Sequence, residues 1–340
     1  MKNWPIFSIP SRNRNALLFA VMSAAVLLAA LLSISMGAVS ISPWSVLRAL
    51  VDRNTDTVET RIILYSRLPR TLGCLLVGMS LALSGAVIQS VMNNPLAAPN
   101  IIGVNSGAGL AVVLWSTLAP HLTAMIPFAA FLGALAGTLL VLLIAQRTGA
   151  SRITLILAGV AVSNIFSAGI DGVVTLVPDA LIGYSDFKIG GLANLSMAKI
   201  QPALCVVLIA AILLLALRTE LDVLALGTET AQSLGLPVQS LRLLLLSLAA
   251  ALAGAAVSIS GLLGFVGLII PNMMRQLVGE ESSVLLPACA LGGAAFLTGC
   301  DLLARLLFSP YELPVGVVLS LFGGPFFIWL LLRQRGGRIP

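Results

Sequence analysis

Polar residues break this chain into apolar blocks of about twenty residues, the length at which a helix crosses a bilayer. The blocks lie near 16–36, 71–92, 101–119, 125–145, 153–171, 201–217, 243–261, 283–303 and 314–332. A tenth, Leu262–Met274 (LLGFVGLIIPNMM), is shorter. At 1.5 Å per residue it reaches only about 20 Å, so it predicts a partial helix near 262–274 whose ends are satisfied by neighbouring helices. The pattern predicts an all-α polytopic membrane protein: one domain over 1–340 with ten transmembrane helices. Ten crossings place both termini on one side, and five per half would set two homologous halves in inverted orientation. The first block follows Lys2, Arg12 and Arg14 as in a signal peptide. It is longer than a usual signal core and lacks a clear A-x-A site, so a retained first span is expected.

Composition agrees. Hydrophobic residues make up 59% of the chain and charged residues 9%, with mean hydropathy +1.06; soluble domains carry roughly 25% charged residues. With the N-terminus inside, the cytoplasmic segments hold Lys2, Arg12, Arg14, Arg147, Arg152, Arg218, Arg242, Arg275, Arg333, Arg335 and Arg338. Their acids are Glu220, Asp222, Glu229, Glu280 and Glu281, and the outer segments balance, so the whole net +6 falls inside. That follows the positive-inside rule and reports topology, not nucleic-acid binding. Cys74, Cys205, Cys289 and Cys300 all lie in apolar runs and read as packing residues. The lone His121 makes no metal site. No nucleophile–base pair, metal set or cofactor motif emerges. Each of the three lysines follows Met1, Phe187 or Ala198, so the chain has no phosphate-binding Gly-Lys-Ser/Thr loop.

One polar stretch interrupts the apolar pattern: LALGTETAQSLGLPVQSLR, Leu224–Arg242. Thr228 suits a helix N-cap, Glu229 complements the dipole, and Gly235 followed by Pro237 enforces a stop. The expected helix, Glu229–Leu234, lies in a cytoplasmic loop over 220–242. A helix of about two turns melts in water unless something holds it, so the stretch predicts a docking partner. A second irregular stretch, NNPLAAPNIIGVNSGAG, follows the second span. Pro95 and Pro99 remove backbone donors, and Asn93, Asn94, Asn100 and Asn105 can satisfy the carbonyls left over. Gly103, Gly107 and Gly109 allow close helix packing. The fifth span carries Ser163, Asn164 and Ser167, which share an arc and suit either a polar pathway or hydrogen bonds between helices.

Several stretches together resemble one family: RLPRTLGCLLVGMSLALSGAVIQSVMNNPLAAPNIIGVNSGAG (Arg67–Gly109), LILAGVAVSNIFSA (Leu155–Ala168), LALGTETAQSLGLP, GFVGLIIPNMMR (Gly264–Arg275), LLPACALGGA (Leu285–Ala294) and DLLARLLFSPYELPVGVVLSLFGGPFFIWLL (Asp301–Leu331). The chain is similar, from about residue 40 onward, to FecCD-like permease subunits of type II ABC importers for ferric siderophores, haem or cobalamin. A Trp that family members often carry before the external Gly-Gly pair is replaced here by Phe187 in DFKIGG.

The resemblance implies a multi-pass subunit of the bacterial inner membrane, both termini cytoplasmic, paired as a homodimer or with a related permease. Two ATPase subunits would bind below and an external substrate-binding protein above. Thr228, Glu229, Thr230, Ala231, Gln232, Ser233, Leu234 and Gly235 would form the ATPase-coupling helix. Arg67, Arg70 and Arg305 would dock the binding protein, although Arg305 also suits an i, i+4 pair with Asp301. Asn94 and Leu96 would form a cytoplasmic gate, and Ser163, Asn164 and Ser167 would line the pathway. The expected cargo is a ferric siderophore, with haem or cobalamin as alternatives. An ion-coupled secondary transporter is disfavoured because few ionisable groups lie within the spans.

Overall fold

The computed structural model describes residues 11–37, 41–51, 57–147, 152–193, 195–309 and 311–335. Lys2, Arg338 and most of the expected cytoplasmic N-terminal segment, 1–15, lie outside them. Along the chain run α1 (Ser11–Ser35), α2 (Pro43–Val51), α3 (Val58–Ile62), a π-helical stretch (Ile63–Arg67) and α4 (Leu68–Met92). A 3-10 turn (Pro99–Ile102) leads to α5 (Val104–Leu118), α6 (Ile126–Arg147), α7 (Arg152–Leu176), α8 (Ala180–Ile189) and α9 (Met197–Ala216). The remainder comprises α10 (Arg218–Ala225), α11 (Thr228–Ser233), α12 (Val238–Ser260), α13 (Val266–Val278), α14 (Ser282–Leu306) and α15 (Val315–Arg335).

The described residues form helices and no strands. Among the described residues seven stretches are long and apolar enough to cross a membrane; α5 and α15 are shorter apolar helices, and α13 completes the ten expected positions. The second span starts earlier than its apolar pattern implies, because helix runs from Val58 through the π-helical stretch to Met92. Pro69 accounts for the widened turn: it donates no hydrogen bond, and its ring crowds the carbonyl four residues back, that of Tyr65. Arg67 and Arg70 therefore sit within a helix rather than in a loop at its mouth.

Central α4 packs against α14, α12 and α13. Glycine makes the closest approaches possible. A Cβ on Gly78 would lie 2.2 Å from the Gly293 carbonyl oxygen, and one on Gly85 would lie 1.9 Å from that of Gly267. The same device joins α5 to α6, where a Cβ on Gly107 would meet the Gly133 oxygen at 2.2 Å. Small residues at helix crossings bring backbones together, which favours association where lipid supplies no hydrophobic drive.

The short tenth segment is a partial helix, as expected. After α12 the backbone unwinds from Gly261 (φ 71°) to Phe265 (φ 68°) before α13 begins. Unwound backbone needs protein partners at membrane depth. The end of α8 supplies them: Leu262 N–H donates to the Phe187 carbonyl at 2.9 Å, and Gly191 N–H donates to that of Ser260 at 2.8 Å. Phe187, the residue that departs from the family pattern, is itself buried.

Two ends of the bundle are built differently. At one end lie α10 and α11, the C-terminus of α4 and the N-terminus of α14. At the other lie the C-termini of α1 and α14, the N-terminus of α4 and the loop before α15.

Candidate functional site

At the α11 end, helix spans Thr228–Ser233, one residue earlier than expected, and Gly227 (φ 120°) takes the N-cap position. Thr228 does not cap the helix; its Oγ1 accepts from Arg242 Nη2 at 3.2 Å. The stop follows the sequence closely. Gly235 lies at φ 81°, its N–H donates to Gln232, and Leu236 N–H donates to Ala231 at 3.1 Å, which is a Schellman termination. Ala231 is buried on the protein side, whereas Glu229, Thr230, Gln232, Ser233, Leu234 and Gly235 face outward. Leu226 and Leu234 leave large apolar side chains exposed beside them. The helix α10, which the sequence pattern did not reveal, packs against α11 and buries Leu221 and Leu224.

The asparagine-rich loop is fastened by its side chains. Asn93 adopts a left-handed conformation (φ 49°) that ends α4, and its Nδ2 donates to Ala225 of α10 at 2.8 Å. Asn94 Oδ1 accepts from Leu96 N–H at 3.0 Å, shaping the turn around Pro95. Asn272 Nδ2 donates to the Pro95 carbonyl at 2.8 Å. Both residues expected at the gate, Asn94 and Leu96, thus belong to one turn and are partly buried. Arg275, read from sequence only as a topology charge, reaches back to α4: its guanidinium bonds Gln89 Oε1 and the Ser90 hydroxyl.

At the opposite end the three arginines expected to dock a binding protein are each engaged within the chain. Arg67, Arg70 and Arg305 are 6%, 8% and 4% exposed, and Arg70 and Arg305 pair with Asp301, which has no exposure. Arg70 Nε donates to Asp301 Oδ1 and Oδ2 at 3.1 and 3.0 Å, and its Nη2 donates to Oδ1 at 3.0 Å. Its Nη1 donates to Glu312 at 2.6 Å. Arg305 Nε forms the i, i+4 ion pair with Asp301 at 3.2 Å. It lacks directed hydrogen-bond geometry there; the other Arg305 nitrogens bond Ser33. Arg67 Nη1 donates to the carbonyls of Ile34 and Ser35, both at 2.8 Å. The physical reason is desolvation: a guanidinium within a helix bundle must find acceptors inside it. The last carbonyls of α1, which have no partner within their own helix, serve as such acceptors. The expected scarcity of ionisable groups within the spans does need correction, since this end buries Asp301, Arg67, Arg70 and Arg305. The sequence signal for this pairing is Asp301 itself, a charge inside an apolar span four residues before Arg305.

Beside this cluster a cavity of about 700 Å³ opens, with Arg70, Asp186, Lys199, Ser260 and Glu312 in its wall.

The residues expected along the pathway divide. Ser163 turns into the bundle, where its hydroxyl lies 3.1 Å from that of Ser106. Asn164 and Ser167 are exposed on α7, on a face shared with Ala161, Ala168, Asp171 and Gly172. All four cysteines are free thiols, and Cys205 is exposed.

Known proteins resemble this chain over almost its whole length. The model of the FecCD transport family matches residues 25–333. The hemin transport system permease HmuU of Yersinia pestis is 39% identical over 91% of this chain and 93% of its own. The ferric dicitrate permease FecD of Escherichia coli K12 is 37% identical over 90% and 95%. The vitamin B12 permease BtuC of Klebsiella pneumoniae is 40% identical over 79% and 82%. A solved structure described as an inward-facing metal-chelate type ABC transporter superposes with a TM-score of 0.83 at 31% identity, covering 94% of this chain and 99% of that one. In systems of this kind ATP is hydrolysed on a separate subunit, so this chain is no enzyme itself. The extent of these matches, together with a ten-helix bundle, places the chain in the FecCD transport family, as a membrane-spanning permease subunit of an ABC importer.

Proposed function

We propose that this permease carries a ferric siderophore through a pathway lined by α7, with α11 coupling it to the ATPase. The exposed polar residues Asn164 and Ser167 of α7 carry the reading. Asn164 and Ser167 lie on a membrane-crossing helix without cover from this chain. Polar side chains facing lipid are costly and mark water-filled paths or protein interfaces. A pathway between two permease copies satisfies both residues. Their amide and hydroxyl suit a bulky chelate that slides past; a bare metal ion needs several hard oxygen ligands.

For coupling, α11 offers a short capped helix with an outward polar surface flanked by Leu226 and Leu234. A partner groove supplies the stability that a helix of six residues lacks. The charge distribution supports a cytoplasmic position for this end and for both termini. The opposite end, with its charged cavity, then faces the substrate-binding protein. Asn94 and Leu96, in the turn beside α10, are placed to close the pathway against their mates in a second permease.

Several relatives are named for ferric citrate, hydroxamate or siderophore transport, which favours an iron chelate. The hemin and vitamin B12 relatives support haem or cobalamin as a second reading. The test is uptake into proteoliposomes holding the permease, its ATPase and its binding protein. Ferric siderophore should accumulate only with internal ATP. Full-rate uptake without the ATPase would overturn the importer reading, and preference for haem or cobalamin would overturn the cargo.

A further inference from the structure

The helix α14 contains 25 residues, so it is about 37 Å long and reaches from one end of the bundle to the other. Both its ends are fastened by side chains from elsewhere. At its start, Ser282 N–H donates to Asp222 Oδ1 of α10 at 2.9 Å. At its far end, Asp301 is clamped by Arg70 of α4. Between the two, α4 and α14 pack backbone to backbone at Gly78 and Gly293. The other end of α4 returns to the same short helix, since Asn93 donates to Ala225 of α10. Thus α10 grips both long helices at one face of the membrane, and an ion cluster locks those helices together at the other. A third connection from the α11 end, along α12, runs into the unwound segment Gly261–Phe265.

We propose that α10 is a lever, and that Asp222 and Asn93 are positioning residues fastening it to the α4–α14 pair. A push on α11 is then delivered to the Arg70–Asp301 joint as movement of one rigid body. Packed interfaces switch between arrangements instead of deforming continuously, which is what such a strut requires. The physical content lies in named joints whose removal should uncouple the two ends, not in spatial intermediacy alone. The proposal rests on the reading of α11 as the ATPase-docking helix.

The experiment uses the complete complex, with its ATPase and binding protein, in nanodiscs. A thiol-reactive spin label is attached to Tyr311→Cys, an exposed position, in a Cys205→Ser background, and the distance between labels on the two permeases is measured with and without ATP. Asp222→Ala should abolish the ATP-driven distance change and lower uptake about tenfold, while ATP hydrolysis persists. Asp222→Asn keeps an oxygen that accepts from Ser282 N–H, so it should retain the distance change and most uptake. Asn93→Leu tests the α4 attachment independently and should dampen the change. An undiminished distance change in Asp222→Ala, or loss of assembly in both Asp222 variants alike, overturns the proposal. The underlying coupling reading fails separately: it falls if Leu234→Asp leaves ATPase binding unaltered, whatever Asp222 does.

Discussion

Arg70 grips Asp301 through three hydrogen bonds of 3.0–3.1 Å across 231 positions of sequence, and Asp301 has no solvent exposure. Removing the carboxylate leaves buried arginines uncompensated, whereas replacing a whole pair by apolar residues is often tolerated. Asp301→Ala should therefore cost about 3–5 kcal/mol of stability. Glu312→Gln, on the exposed side of the same arginine, should cost about 0–1 kcal/mol. Unfolding of the purified permease in detergent measures both. Equal losses in the two variants would show that burial does not set the energetics of this cluster.

Glycine contacts on one helix give a sharper comparison. A Cβ on Gly293 would lie 2.2 Å from the Gly78 carbonyl oxygen, while one on Gly299 would meet nothing within 4 Å. Gly293→Ala must push α14 away from α4 and should destabilise by about 1–3 kcal/mol. Gly299→Ala keeps the packing and gains helix propensity, so it should be neutral or stabilising by up to about 1 kcal/mol. Thermal unfolding of the two variants side by side settles the matter: a stable Gly293→Ala protein would refute the close crossing.

The span pattern was legible because a bilayer demands long apolar helices, and few alternatives satisfy the backbone there. The stop at Gly235 was legible too, since a left-handed residue leaves a mark in the sequence. What stayed hidden depended on partners distant along the chain. Arg67 and Arg70 looked exposed because the apolar run starts at Thr71, yet the helix begins thirteen residues earlier, at Val58. Asp301 and the end of α1 then turned both arginines inward. Thr228 lost its expected capping role to Arg242, fourteen residues away. Ser163 and Asn164 adjoin in sequence but face opposite environments, a distinction fixed by the packing of α5.

Gly235 offers a test of the coupling helix that leaves its surface chemistry intact. No atom lies within 4 Å of its Cβ position, so only the backbone angle (φ 81°) restricts substitution. Asparagine visits this region readily, whereas a β-branched residue does so at a cost of roughly 1–2 kcal/mol. Gly235→Asn should keep ATPase association near normal, and Gly235→Val should weaken it about tenfold by loosening the Schellman turn. Co-purification of the ATPase with each variant reports the difference. Equal association would mean that the ending of α11 does not shape its docking surface.

The division along α7 makes the pathway itself testable. Ser163 is engaged with Ser106, while Asn164 and Ser167 are exposed on the helix surface. In a Cys205→Ser background the three remaining native cysteines are buried, so a new thiol dominates the signal. Asn164→Cys and Ser167→Cys should react with a small, water-soluble, membrane-impermeant thiol reagent, because an aqueous pathway exposes them. Ser163→Cys should react at least about tenfold more slowly, since reaction requires an accessible thiolate. Lipid alone around α7 would protect all three positions, because a charged reagent does not enter hydrocarbon. A changing pathway adds a second signature: addition of ATP to the complete complex should alter the rates at 164 and 167 and leave 163 slow. Uniform protection would remove α7 from the pathway, and fast labelling at 163 would contradict the Ser106 contact.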